Sequence, residues 1–181
     1  MSGQGEARKQ NRSAWLALRC AATVSLAACP VGAVAASPER ATPSGMPVPR
    51  YVVLKFGEVN ARAGPGDDHR LLWVYRVRGL PVQVVAETSE WRRICDPEGG
   101  LAWVHRRTTD GKQMVMNRAA TPVPVYRSAE PGARHLADLN PRSLAALIEC
   151  ESGWCHIKAG GVSGWARAAQ LWGTATEPQC R

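Results

Sequence analysis

Phenylalanine is nearly missing from this chain, which has one Phe against seven Trp. A Phe-built core is excluded, so Trp must supply the bulk. Its large apolar area and its N–H suit small domains that bury much surface with few residues. Long apolar runs are missing too. The best candidate, Cys20 to Ala36, has at most 17 residues and is broken by Pro30 and Gly32, which makes it a poor permanent membrane span. Basic blocks are equally scarce, Arg92-Arg93 and Arg106-Arg107 being the longest in the mature part despite a sequence pI near 9.6. Nucleic-acid patches usually need runs of about five, so no nucleic-acid partner is expected, and these arginines read as strand-surface charges that guard sheet edges. Metal-ligand spacing is also lacking. His69, His105, His135 and His156 are dispersed, and Cys150, Cys155 and His156 do not fit a C-x₂-C pattern. Alternation along a strand turns Cys155 and His156 to opposite faces. Neither a metal nor another cofactor is expected.

Residues 1–36 carry a basic start, an apolar run and small residues at its end, the pattern of an export signal. Two processing routes are open. Val34-Ala35-Ala36 before Ser37 fits ordinary cleavage, whereas Leu26-Ala27-Ala28-Cys29 fits a lipobox that would leave a lipid anchor on Cys29. Of the formal charge of +8, the part beyond residue 36 keeps +5, a moderately basic balance. Residues 37–50 hold four Pro and read as an extended spacer.

From Tyr51 the pattern is β throughout. Tyr51–Phe56, Val59–Arg62, Leu71–Val77, Leu80–Glu87, Trp91–Cys95 and Leu101–His105 are short Val-, Leu-, Ile- and Trp-rich runs separated by Gly, Pro, Ser and Glu turns. Runs this closely spaced leave no room for a βαβ crossover, and a small antiparallel barrel or sandwich follows. Gln113–Asn117 is expected to close that unit.

The second half repeats the first. Trp154 stands 63 residues after Trp91, and Gly164-Trp165 stands 62 after Ala102-Trp103. Each Trp91/Trp154 is followed at the third position by Ile. The expected units are residues 51–117 and 121–173, with 174–181 as a tail. Trp91, Trp103, Trp154 and Trp165 are expected to pack between sheets as frame residues, and Trp172 to close the core of the second unit. Cys150 and Cys155 flank a short connection between two strands, so they are expected to form a disulfide in an oxidising compartment. For Cys95 and Cys180 two readings stand: a bridge tying the tail to the first unit, or a part-buried Cys95 serving as a small hydrophobe.

Val59-Asn60-Ala61-Arg62-Ala63-Gly64-Pro65-Gly66 runs a strand into a fixed turn. With the central Trp91 and the later Gly100-Leu101-Ala102-Trp103-Val104, this N-x-R-x-G-P-G pattern resembles the bacterial SH3-like domains of exported cell-envelope proteins. The resemblance implies an all-β fold of two tandem SH3-like small barrels after the signal segment and Pro-rich spacer. Asn60, Arg62, Gly64, Pro65 and Gly66 carry over as fold-defining positions, and the second copy retains only Pro131-Gly132 of the turn. The implied function is non-catalytic binding or scaffolding at the envelope, periplasmic or envelope-associated, with cell-wall glycan or peptide or an envelope protein as partner. An accessory subunit that stabilises or inhibits a partner is an alternative. Asp67, Asp68, His69, Trp73 and Tyr75 are the candidate ligand-facing residues. Trp73 and Tyr75 share a face by period two, as a stacking platform for a sugar ring or peptide or as core. A small thiol enzyme using Cys95 and His105 is the remaining alternative, since the two lie on neighbouring strands. No peptidase motif surrounds Cys95, no separate catalytic domain is written in these residues, and no enzyme is expected.

Overall fold

The computed structural model describes residues 42–180. The expected export signal, the expected processing sites at Ser37 and Cys29 and the first part of the spacer lie outside the described residues. Among the described residues, fourteen strands form two seven-stranded antiparallel sheets. The first comprises β1 (Arg50–Leu54), β2 (Val59–Arg62), β3 (Leu71–Tyr75), β4 (Pro81–Glu87), β5 (Trp91–Cys95), β6 (Leu101–His105) and β7 (Thr109–Asp110), in the order β3-β2-β6-β5-β4-β1-β7. The second comprises β8 (Met114–Asn117), β9 (Val123–Tyr126), β10 (His135–Leu139), β11 (Leu144–Glu151), β12 (Trp154–Ala159), β13 (Val162–Arg167) and β14 (Leu171–Trp172). Its order, β10-β9-β13-β12-β11-β8-β14, is the first order with seven added to each strand. A single 3-10 turn precedes the last strand of each sheet, at Arg106–Thr108 and Ala168–Gln170. The class is all-β, built from two repeats, as the sequence implies.

The repeat extends to irregularities. β4–β5 shifts register between Val84 and Ala86, and β11–β12 between Leu147 and Glu149. An extra residue on one strand bends and twists it, which lets a short sheet curl over its own core. Inside each curl the inward positions are apolar and small. Val52, Leu54, Val59, Ala61, Val82, Val84, Ile94 and Val104 fill the first, and Val115, Val123, Val125, Leu139, Ile157 and Ala166 the second.

Met114–Asn117 corrects the expected boundary. This strand pairs with β11 and β14 and so opens the second sheet instead of closing the first. The physical reason lies in the repeat itself: β8 is the counterpart of β1, and a second unit begun at residue 121 would lack its first strand.

The tryptophans recur but do not sit between sheets. Trp91 faces His105 and Arg93 faces Trp103 across β5–β6, while Ile94 pairs with Ala102. Cross-strand partners share a face, so Trp91 and Trp103 lie opposite the core residues Ile94, Ala102 and Val104. Trp91 packs against His105 at 5.2 Å between ring centroids. Trp154 takes the same place in the second copy, with the Arg167 guanidinium 3.8 Å above it and Tyr126 at its edge. Trp165 stacks on His156 at 5.0 Å.

Trp172 also departs from expectation. Its ring packs into the first core, edge-on to Tyr51 at 5.6 Å, and its indole N–H donates to the Pro81 carbonyl at 2.8 Å. Met116 enters the same core. The two copies therefore share apolar surface, and both fall within one compact unit.

Both ends are strapped to the first sheet. At the C-terminal side the buried Gln83 amide donates to the carbonyl of Glu177 at 2.9 Å and accepts from the Gln179 N–H at 2.9 Å. Cys180 then forms a disulfide with the fully buried Cys95, so of the two readings for this pair the bridge is the one found. At the N-terminal side the spacer is docked from Thr42: the Ser44 N–H and hydroxyl donate to Glu87, which is also paired with Arg50 and Arg92. Burial alone would push the Glu87 carboxyl up. The Ser44 hydroxyl, the Arg50 guanidinium and the Ser44 N–H outweigh it and hold the carboxyl at about 2.

The second disulfide, Cys150–Cys155, spans directly opposed residues of β11 and β12. The strands run on to Glu151 and Trp154, leaving a two-residue turn at Ser152-Gly153, both with positive φ. That is the turn whose twist matches a hairpin. The next pair along the ladder, Cys150 and Cys155, is the close, non-hydrogen-bonded kind, at a Cα–Cα distance of 4.0 Å.

Candidate functional site

The β2–β3 hairpin determines which side each candidate residue serves. Val59 pairs with Tyr75 and Ala61 with Trp73. Val59 and Ala61 are buried in the core, so Trp73 and Tyr75 share the inward face, whereas Arg62, opposite Trp103, points outward. The five candidate residues are thus divided between two faces.

On the outward side the Gly-Pro-Gly loop is tied by Arg62. Its guanidinium donates to the His69 carbonyl at 2.9 Å and sits 3.3 Å from Asp67. His69 folds over Gly64, where a Cβ would meet its ring at 2.6 Å. Arg62, Gly64, Asp67 and His69 are therefore engaged in holding the loop. The second copy closes the same bend without the motif: the Arg127 N–H donates to the Arg134 carbonyl at 2.9 Å, as the Ala63 N–H does to Arg70 at 3.0 Å. Asn60, Arg62, Asp67, Trp91 and His105 line a shallow groove of about 280 Å³ on this face. Asp68 is exposed beside it.

On the inward side Trp73 and Tyr75 meet edge to face at 6.0 Å, half-buried against the core. They line an open groove of about 460 Å³ with Leu80 and Asp96, and with Met116 and Arg142 from the second copy. The rings pack on the core and also line the groove.

Asp96, which no sequence motif singles out, is the polar centre of this groove. It is 7% exposed. One carboxylate oxygen accepts from the Gly100 N–H at 2.7 Å and the Glu98 N–H at 2.9 Å, and the other accepts from the Tyr75 hydroxyl at 2.8 Å. Gly99, with φ of +87°, turns the chain so that both N–H groups converge. A Cβ on Gly100 would lie 2.6 Å from the carboxylate. Burial, and then the charge and hydrogen bond of Asp96, push the Tyr75 phenol above its usual range, so it stays a neutral donor.

Arg142 reaches this groove from the second copy and pairs with Glu98 at 2.6 Å. Its φ is +62°, at the position held by Gly79 in the first copy. A non-glycine residue there costs roughly 1–2 kcal/mol.

The second copy carries a matching groove of about 430 Å³. By register Trp73, Tyr75 and Asp96 correspond to Ala137, Leu139 and Ala159. The groove survives and the aromatic and acidic groups do not.

Cys95 and His105 are not brought together. Cys95 lies opposite Leu101 and His105 opposite Trp91, at the two ends of the β5–β6 ladder, and the Cys95 sulfur is bonded to Cys180. The thiol-enzyme pairing is corrected on that ground. Among the described residues no cluster of three or more His, Cys, Asp or Glu could hold a metal ion, and no helix is long and apolar enough to cross a membrane.

No curated protein matches the chain significantly. Two solved structures, of NlpC2 and NlpC1 from Trichomonas vaginalis, are similar at 12% identity, each over 68% of this chain with a TM-score of 0.32. The chain spans 48% and 45% of their lengths, and likeness at this level carries no argument. The profile of the bacterial SH3 domain matches twice, over residues 55–111 and 119–173, more than half of the sequence and once in each sheet. The chain belongs to the bacterial SH3 domain family.

Proposed function

We propose that this protein is a non-catalytic binding protein of the bacterial cell envelope that holds cell-wall peptidoglycan in the Trp73/Tyr75 groove of its first copy. Membership of the bacterial SH3 domain family supports a cell-wall role, and the two disulfides are consistent with an exported protein. The observation that carries the choice of site is the difference between copies. The same groove is present in both, yet only the first holds two aromatic rings and a buried carboxylate. A frame needs neither, as the second copy demonstrates, so their retention in the first points to a ligand.

The chemistry of the groove fits a carbohydrate ring or short peptide. Half-buried aromatic faces offer stacking area at low entropic cost. Asp96 at its centre and the Glu98–Arg142 pair at its rim supply polar groups. The test is co-sedimentation of the mature protein with isolated sacculi at low and moderate salt. Retention is expected; recovery in the supernatant at both salt levels refutes the cell-wall reading and leaves an envelope protein as partner.

A further inference from the structure

Beyond the aromatic groove, a second site lies where the two copies meet the C-terminal strap. A groove of about 410 Å³ there is lined by Tyr51 of β1, Arg118 from the β8–β9 connection, Gln170, Trp172, Thr174 and Gln179. Among the described residues its lining contains no acidic group. The exposed Arg118 guanidinium lies 5.4 Å above the Trp172 ring, and among the described residues it has no carboxylate partner. The Tyr51 ring is fixed edge-on to the same indole, with its hydroxyl buried and without a hydrogen-bond partner. A buried hydroxyl left unmatched costs roughly 1–3 kcal/mol, and such a group calls for an explanation.

The electrostatics indicate the sign of what is missing. Burial pushes the Tyr51 phenol up to about 12, and two influences oppose it, the Gly173 backbone N–H and the Arg118 charge. The Gly173 N–H approaches the oxygen without completing a bond of normal geometry. Both influences favour negative charge at that point, and among the described residues no acid stands against them. A cation would meet only repulsion there, and an apolar ligand would leave the phenol O–H unmatched.

We propose that this junction is an oxyanion site, in which Arg118 and the Tyr51 hydroxyl hold a carboxylate or phosphate group against the edge of Trp172. The Tyr51 O–H donates to one oxygen of the anion and the Arg118 guanidinium to another, the Gly173 N–H adding a third dipole. Because the hydroxyl is covered, entry requires a side chain to give way, and the exposed Arg118 is the one placed to swing. The site combines residues of both copies with the strap, so it exists only in the assembled tandem.

The experiment uses the mature, disulfide-intact protein, labelled with ¹⁵N. Sodium phosphate and sodium acetate are titrated separately at constant ionic strength, with chloride as the control, while the Gly173 amide and Trp172 indole signals are followed. Saturable shifts with phosphate, acetate or both are expected, the preferred anion indicating which group the natural ligand carries. Arg118→Gln should weaken binding about tenfold or more, the usual loss for a hydrogen bond to a charged group, and Tyr51→Phe several-fold. In anion-free buffer Tyr51→Phe should be no less stable than the parent, because it removes an unmatched hydroxyl. Shifts no larger than those with chloride, or equal affinity in both variants, overturn the proposal and leave water as the occupant. Clear destabilisation by Tyr51→Phe without anion overturns it as well.

Discussion

Two disulfides of very different span allow the fold to be tested quantitatively. Cys95–Cys180 closes a loop over a sequence separation of 85, whereas Cys150–Cys155 spans 5. If each acts mainly by restricting the unfolded chain, the long loop contributes about 4–5 kcal/mol and the short one about 2 kcal/mol. The perturbation is Cys180→Ser, which leaves the buried Cys95 side chain in place so that no cavity forms, compared with Cys150→Ser. Urea or guanidinium unfolding of the two variants and the parent should show Cys180→Ser less stable than Cys150→Ser by roughly 2–3 kcal/mol. In a thermal scan that gap is about 5–10 °C for a domain of this size. The tail adds to it, since Gln83 loses partners if residues 177–179 detach. Equal losses from the two variants, or a larger loss from Cys150→Ser, would refute the reasoning that the strap constrains the whole tandem.

Three further outcomes follow from single contacts. The Glu87 carboxyl is held at about 2 against an ordinary value of 4.5, so the stability it lends is present above about pH 4.5 and is lost as the pH falls towards 2. Unfolding measured between pH 7 and 2 should therefore show less loss in Glu87→Gln than in the parent, while at pH 7 that variant should be weaker by about 3 kcal/mol because Arg50 and Arg92 lose their buried partner. Gly100→Ala should cost about 1–3 kcal/mol in denaturant, since its Cβ would collide with the Asp96 carboxylate and break the bonds that position it. Arg142→Gly should stabilise the chain slightly or leave it unchanged at its strained position, and a sacculus-binding assay reads whether the Glu98 pair contributes to the groove.

Much of the fold is legible in the sequence because it is written twice. The Trp–x–x–Ile spacing of Trp91/Ile94 and Trp154/Ile157 marks equivalent strands, and the alternation around Cys150 and Cys155 places them across a hairpin. The same spacing also holds the correction for the tryptophans, because residues three apart on a strand face opposite ways, and Ile94 and Ile157 are the ones in the two cores. What escaped is what depends on the two copies meeting. Met114–Asn117 has the composition of any strand, and only pairing with β11 assigns it to the second copy. Trp172 reads as the end of its own barrel until Pro81 and Tyr51 are placed beside it. Gln83 was a usable signal: a glutamine inside Pro-Val-Gln-Val-Val has no business in a core without partners, and the strap supplies them. Asp96 stands in a loop after β5 that no motif in the sequence marks. Its orientation follows from Gly99 and Gly100, which bring two N–H groups to one oxygen.

The motif Asn60–Gly66 identifies the family, but its side chains hold a loop, and the residues that distinguish the first copy lie on the other face of the hairpin. The measurement that tests this most directly is sacculus co-sedimentation of the parent, Trp73→Leu and the folded double variant Asp67→Asn/Asp68→Asn. The groove account predicts that Trp73→Leu loses most of its retention while the loop variant keeps it. Loss of retention in the loop variant with Trp73→Leu unaffected would contradict the account and move the ligand to the outward face.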